Sequence, residues 1–215
     1  MAGTTVDEDN VVYKTLQLVI NNAGYNFTLA QVLELGAGKE KLQAIKDILE
    51  AGGRLQTENF AENLYKIFDE TLKTAYDTMH IKPQDGAEEA FKLLRKNNIF
   101  IVLNTGYNAV TANGLLKKLN WQVGNQIDAL ITATDVTANR PKPDMILLAM
   151  KQFKITDAKE VAKVGDSTID IEEGQNAGCS LNVGITTGAH TQAQLSAANP
   201  DYIIHHLLEL LPILN

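Results

Sequence analysis

The chain reads as an α/β fold, a parallel sheet covered by helices on both faces, with an α-helical cap inserted before most of it. Three observations predict this. From residue 84 onward, short and almost continuous apolar runs alternate with helical stretches, the pattern of strands buried on both faces. Residues 10–83 carry helical periodicity and no convincing strand. The run Val161-Ala-Lys-Val164 ends in Gly165, with Asp166 next and Asp170 four residues later. That places two carboxylates just past a strand's carboxyl end, where open α/β sheets bind ligands.

The elements follow in order. Asn10–Ala23 carries Val11, Val12, Leu16, Val19 and Ile20 at helical spacing. Lys39–Glu50 places Leu42, Ile45, Ile48 and Leu49 on one face and stops at Gly52-Gly53. Thr57–Thr78 repeats Phe60, Leu64, Ile67, Phe68 and Leu72 at intervals of three to four. Beyond Pro83, Gly86–Asn97 is helical and Ile99–Asn104 is a buried strand. Helix Ala109–Leu119, strand Ala129–Ala133 and helix Asp144–Phe153 come next. Strand Val161–Val164, helix Ile171–Ala177, strand Ser180–Ile185, strand Tyr202–Ile204 and a last helix complete the chain. The division is a core of residues 1–9 and 84–215 and a cap of residues 10–83.

Composition limits the function classes. Of 215 residues, 45% are hydrophobic and 21% charged, enough apolar content for a sizeable core. A formal net charge of −7 repels phosphate backbones and anionic lipid, which argues against nucleic-acid and membrane partners. No apolar run approaches membrane-spanning length. The acidic first residues lack the apolar core of a secretory signal. Cys179, the lone cysteine, excludes an intrachain disulfide and reads as a packed small residue. The expectation is a cytoplasmic monomer or homodimer.

The strand ends hold the chemistry. After Ile99–Asn104 comes Thr105-Gly-Tyr107, and after the Ala129 strand comes Arg140-Pro-Lys-Pro-Asp144. With Asp166 and Asp170, these bring a hydroxyl, a cation and two acids to one crevice. The inventory suits phosphoryl transfer, with Thr105 and Arg140 on phosphate oxygens and the acids on Mg²⁺. The competing reading makes Asp166 or Ser167 a helix cap and Asp170 a complement to the helix dipole.

The ordered set Met1-Ala-Gly-Thr-Thr-Val6, Leu103-Asn-Thr-Gly106, Arg140-Pro-Lys-Pro-Asp144 and Gly165-Asp-Ser-Thr-Ile-Asp170 resembles the haloacid dehalogenase superfamily of hydrolases. Ala2, Thr105-Gly-Tyr107, Arg140 and Thr187-Gly-Ala-His-Thr191 resemble its phosphonatase-like branch. The resemblance implies a Rossmann-like core and a Mg²⁺-dependent hydrolase of a small phosphate ester or phosphonate. It implies a metal held by Asp166, the Ala2 carbonyl and a further Asp, with Asp170 in support. Gly3, Thr4, Thr105, Gly106, Tyr107 and Arg140 would hold the transferred group.

In that family the first motif is Asp-x-Asp-Gly-Thr, whose first Asp attacks phosphorus to form an aspartyl-phosphate. Here Met1 matches x and Ala2 the second Asp, so the nucleophile would precede Met1, on a strand whose loss leaves two strand edges unpaired. A start upstream of Met1, a cut sequence and a degenerate inactive relative are the three explanations. The intact remaining motifs favour the first two.

Phosphonatases share the Ala2 substitution and use a cap lysine as a Schiff base. Leu35-Gly-Ala-Gly-Lys39 resembles that segment and nominates Lys39, with Lys41 and Arg140 supplying charge to lower its pKa. Asn10 and Leu42 stand where those enzymes carry a supporting cysteine and histidine. Rival readings are a phosphoglycolate-type phosphatase, a true phosphonoacetaldehyde hydrolase and a non-catalytic binder of Mg²⁺ and phosphate. His190 reads as a surface-loop residue and Asp7-Glu8-Asp9 as a solvated hinge. Lys142, between prolines, reads as a contributor of charge with the phosphate role left to Arg140, and His80, His205 and His206, without a partner pattern, read as structural or solvated.

Overall fold

The computed structural model describes residues 1–53 and 59–214. Strand β1 (Val6–Asp7) leads into four helices: α1 (Val11–Asn22), α2 (Leu29–Gly36), α3 (Lys41–Ala51) and α4 (Phe60–Thr78). They pack α1 on α4, α2 on α3 and α3 on α4. Leu16, Ile20, Ile45, Ile48 and Phe68 are fully buried between them, so the apolar stripes seen in the sequence face one another. The expected start of the fourth helix at Thr57 lies outside the described residues. Helix α2 was not anticipated. It has eight residues, and its Leu29, Leu33 and Leu35 are only half-buried, which blurs the apolar stripe. A capping box of Thr28 and Gln31 starts it.

Strand β2 (Lys82–Pro83) returns antiparallel to β1, with Val6 opposite Pro83 and Asp7 opposite Lys82. The two connections between the helical layer and the rest of the chain therefore run side by side.

The remainder alternates helices and parallel strands: α5 (Ala87–Lys96), β3 (Val102–Thr105), α6 (Ala109–Leu119), β4 (Ala129–Thr132), α7 (Asp144–Phe153), β5 (Ala162–Gly165), α8 (Thr168–Ala177), β6 (Leu181–Ile185), α9 (Gln192–Ala197) and β7 (Tyr202–Ile204). The last helix is a 3₁₀ segment, Leu207–Ile213, with Pro212 inside it. The strand expected at Ile99–Asn104 begins at Val102, since Ile99 and Phe100 are exposed.

The strands form two parallel sheets. β3 pairs with β4, Val102 opposite Ala129. β5 pairs with β6 and β6 with β7, Ala162 opposite Leu181 and Val183 opposite Tyr202. Between β3 and β5 lies an apolar cleft of about 540 Å³, lined by Val102, Leu103, Ala162, Val164, Met145 and Leu210 among others. The Met1 backbone nitrogen donates to the Asn104 carbonyl at 3.4 Å, so the first residue lies against the carboxyl end of β3.

Candidate functional site

Asp166 follows directly on β5, and its carboxylate is held from two sides. The Thr4 hydroxyl donates to Oδ1 and the Ala189 N–H to Oδ2, each at 2.8 Å. Gly3, at φ +78°, lets the first loop approach this closely, since a Cβ there would stand 2.2 Å from Asp166 Oδ2. Gly3 and Thr4 thus join the site through Asp166.

The helix-cap reading of the next residues holds for Ser167. The Ser167 side chain accepts from the Asp170 N–H and caps α8, and its hydroxyl donates to Asp170 Oδ2 at 2.6 Å. Asp170 is also fully engaged with cations. It pairs with the Arg140 guanidinium, and Lys163 Nζ stands 3.0 Å from Oδ1. Burial alone would raise its pKa, but Lys163 and Arg140 hold it far below the usual carboxylate range. Lys163 in turn meets Glu173 and the Asn104 side-chain carbonyl, both at 2.8 Å. The sequence reading missed Lys163 and Glu173. Their signals are a lysine inside an apolar strand and an acid one turn past Asp170.

Burial disfavours charge on Arg140, yet the facing Asp170 raises its pKa further and keeps it cationic. Its Nε is buried without a hydrogen-bond partner, an unspent donor aimed at no protein group.

Thr105 ends β3, and its Oγ1 accepts from the Tyr107 N–H at 3.2 Å. Gly106 lies against the helical layer, where a Cβ would stand 2.5 Å from the Lys39 carbonyl oxygen. These groups close around a polar cavity of about 20 Å³, the room of roughly one water. Of the residues the sequence nominated, Ala2, Thr105, Gly106, Tyr107, Arg140, Asp166 and Asp170 line it. Lys39 does not.

The Lys39 ammonium pairs with Asp47 of α3 instead. In its place Lys41 reaches the cavity, buried, with Nζ 5.3 Å from the Tyr13 ring centroid and 5.4 Å from that of Tyr107. Glu40 caps α3, accepting from the Leu42 and Gln43 N–H groups. This orients the helix start so that Lys41, not Lys39, faces the core. Burial lowers the Lys41 pKa to about 8, and the Arg140 charge pushes the same way.

Glu8 corrects a second expectation. It is 3% exposed, not solvated. The Tyr76 hydroxyl donates to Oε2 at 3.0 Å, and the Tyr76 and Tyr107 hydroxyls are 3.0 Å apart. Burial raises the Glu8 pKa to about 7, against the opposing pull of the Tyr76 bond. His190 is likewise buried. Its Nδ1 accepts from the Thr168 N–H at 3.1 Å, and Nε2 stands 3.3 Å from the Leu33 carbonyl, linking α8 to α2. Lys142, His80 and His205 are exposed, and Cys179 is buried against Ile146 and Met150.

Hard oxygen donors suit a divalent cation such as Mg²⁺. Each Asp166 oxygen retains capacity beyond its one protein bond, whereas Asp170 is neutralised by Arg140 and Lys163. Among the described residues no three His, Cys, Asp or Glu side chains converge as a metal cluster.

Parallel strands whose carboxyl ends bring a hydroxyl, a guanidinium and two carboxylates to one cavity define a Rossmann-like α/β protein with a polar site at the sheet edge. The haloacid dehalogenase-like hydrolase family model matches residues 1–183. The chain belongs to that family. It is 35% identical over 144 residues to a phosphonoacetaldehyde hydrolase of Latilactobacillus sakei, an alignment covering 56% of this chain and 54% of that protein. The chain spans about half the length of the curated relatives it matches. In fold it is similar to a hydrolase from Pseudomonas syringae, with TM-score 0.86, 21% identity and coverage of 98% and 93% of the two chains. It is also similar in fold to a phosphonoacetaldehyde hydrolase-like protein from Oleispira antarctica, with TM-score 0.85, 23% identity and coverage of 99% and 88%.

Proposed function

We propose that the protein is a cytoplasmic, Mg²⁺-dependent hydrolase of a small phosphate ester or phosphonate, working through an aspartyl-phosphate. One observation carries the reading. Thr105, Arg140 with its unpartnered Nε, and Asp166 share one small polar cavity at the strand ends.

In this reading the nucleophilic Asp precedes Met1 on a strand seated between β3 and β5. The apolar cleft there and the bond from the Met1 nitrogen to Asn104 support that path. The Asp oxygen attacks phosphorus as the bond to the leaving oxygen breaks, that oxygen takes a proton from water because Ala2 supplies none, and a second water then cleaves the aspartyl-phosphate to phosphate and the free carboxylate. Arg140 Nε and the Thr105 hydroxyl bind the transferring oxygens, and Asp170 with Lys163 fixes the guanidinium. Asp166, the Ala2 carbonyl and the upstream Asp would hold Mg²⁺, which would supply positive charge to the phosphoryl oxygens. Helices α1–α4 act as a cap on core residues 1–9 and 84–215, and exclude water from the step.

The pairing of Lys39 with Asp47 and the lack of a cysteine or histidine at Asn10 and Leu42 argue against Schiff-base chemistry on Lys39. They favour a phosphate ester over phosphonoacetaldehyde. Phosphate release from a panel of small phosphate esters and from phosphonoacetaldehyde, with the full-length protein and Mg²⁺, tests this. Turnover of esters without borohydride-trappable adduct is expected. Binding of phosphate without turnover of any compound would leave a non-catalytic relative.

A further inference from the structure

Among the described residues two lysines are buried, Lys41 and Lys163. Lys163 meets the carboxylates of Asp170 and Glu173. Lys41 has no such partner among the described residues. Among the described residues its one hydrogen bond runs to the Lys39 carbonyl at 2.8 Å, and tyrosine rings flank it on two sides. An ammonium has three donors, and a buried one without a counter-charge is costly to the fold. Ring faces compensate in part, yet they leave N–H groups facing the cavity shared with Arg140 and Thr105.

We infer that Lys41 binds a carboxylate on the leaving-group side of the substrate, which makes the substrate a small phosphorylated carboxylic acid. The inference rests on the hydrolase reading above, because it deepens the same site. Arg140 and Asp166 belong to the phosphoryl end. Lys41, on α3 of the helical layer, is the cation left for a second anionic group. Near neutral pH burial leaves the amine mostly protonated, with its pKa at about 8, so it meets an oxyanion as a charge. The cavity of about 20 Å³ holds roughly one water as it stands, so a phosphorylated acid enters only when the helical layer parts from the core. A charge-assisted bond of this kind discriminates at the level of tenfold or more.

The test compares phosphonoacetate with ethylphosphonate, a similar anion without the carboxylate, by calorimetric titration of the full-length protein with Mg²⁺. Phosphonoacetate is expected to bind at least tenfold tighter. In Lys41→Gln the ratio collapses toward one, and in Lys41→Arg part of it survives. Removing an uncompensated cation is also expected to raise the melting temperature of the ligand-free Lys41→Met variant. Three results overturn the inference: a wild-type ratio near one, a ratio unchanged in Lys41→Gln, or a lower melting temperature in Lys41→Met, which would make the lysine structural. Borohydride trapping of phosphonoacetaldehyde on Lys41 would also overturn it, in favour of covalent carbonyl chemistry. A Lys41-dependent preference in a protein that hydrolyses nothing would sink the hydrolase reading and leave the carboxylate site standing.

Discussion

The Lys41 ammonium donates to the Lys39 carbonyl at 2.8 Å while the Lys39 ammonium turns outward to Asp47. Two lysines of one loop thus divide their roles. Lys39 lends its backbone to the site and its charge to the flank of α3.

Lys39→Ala should therefore do little. It removes a partly exposed ion pair, worth less than about 1 kcal/mol, and turnover should change by less than threefold. Urea unfolding and a steady-state phosphate assay check both. A hundredfold loss of turnover would return the reacting amine to Lys39.

Glu8 gives a pH dependence with a definite sign. Its pKa is raised from 4.5 to about 7 in the folded chain, so between those values the folded state keeps a proton that the unfolded chain has lost. Stability from this group is full below about 4.5, falls as the pH rises toward 7, and stays low above it. The loss is roughly 3 kcal/mol. Glu8→Gln should remove this fall. Unfolding free energies of both proteins from pH 4 to 8 give the difference directly.

Asp170 behaves in the opposite sense. Its pKa is held far below 3.8, so its contribution is full above that value and is lost as the pH falls through the folded value. Asp170→Asn leaves the buried charges of Arg140 and Lys163 undercompensated and should cost about 3–5 kcal/mol at neutral pH. The gap to wild type should narrow as the pH drops below about 4. Denaturant titrations at pH 7 and pH 3 test this.

What the sequence disclosed and what it hid divide along locality. Thr105 and Asp166 sit at strand ends, a position the apolar runs mark directly, and Arg140 and Asp170 lie in the segments that follow β4 and β5. The buried network beneath them hides in the middle of β5 and α8, where Lys163 and Glu173 read as ordinary charges. Glu8 reads as solvated because its partner Tyr76 is 68 residues away. The choice between Lys39 and Lys41 depends on the rotation of the α3 start, set by the Glu40 cap and invisible to spacing. The apolar runs foretold a parallel sheet. They did not fix the strand start at Val102, because Ile99 and Phe100 are apolar yet exposed, and they missed α2 and α9 for their shortness.

Gly38 should tolerate no side chain. It lies at φ +76°, and a Cβ would stand 2.2 Å from Ser167 Oγ. Gly38→Ala combines a left-handed backbone penalty of about 1–2 kcal/mol with a clash that pushes the helical layer from the core. A lower melting temperature and a raised KM are expected from thermal unfolding and steady-state kinetics.

The most direct measurement of the hydrolase reading is phosphate release by the full-length protein, as wild type and as Asp166→Asn, across a Mg²⁺ titration. Turnover is expected to depend on Mg²⁺, to stop with a chelator, and to fall at least a hundredfold in Asp166→Asn. Turnover that survives chelation and the Asp166→Asn change would contradict a Mg²⁺-dependent hydrolase built on Asp166.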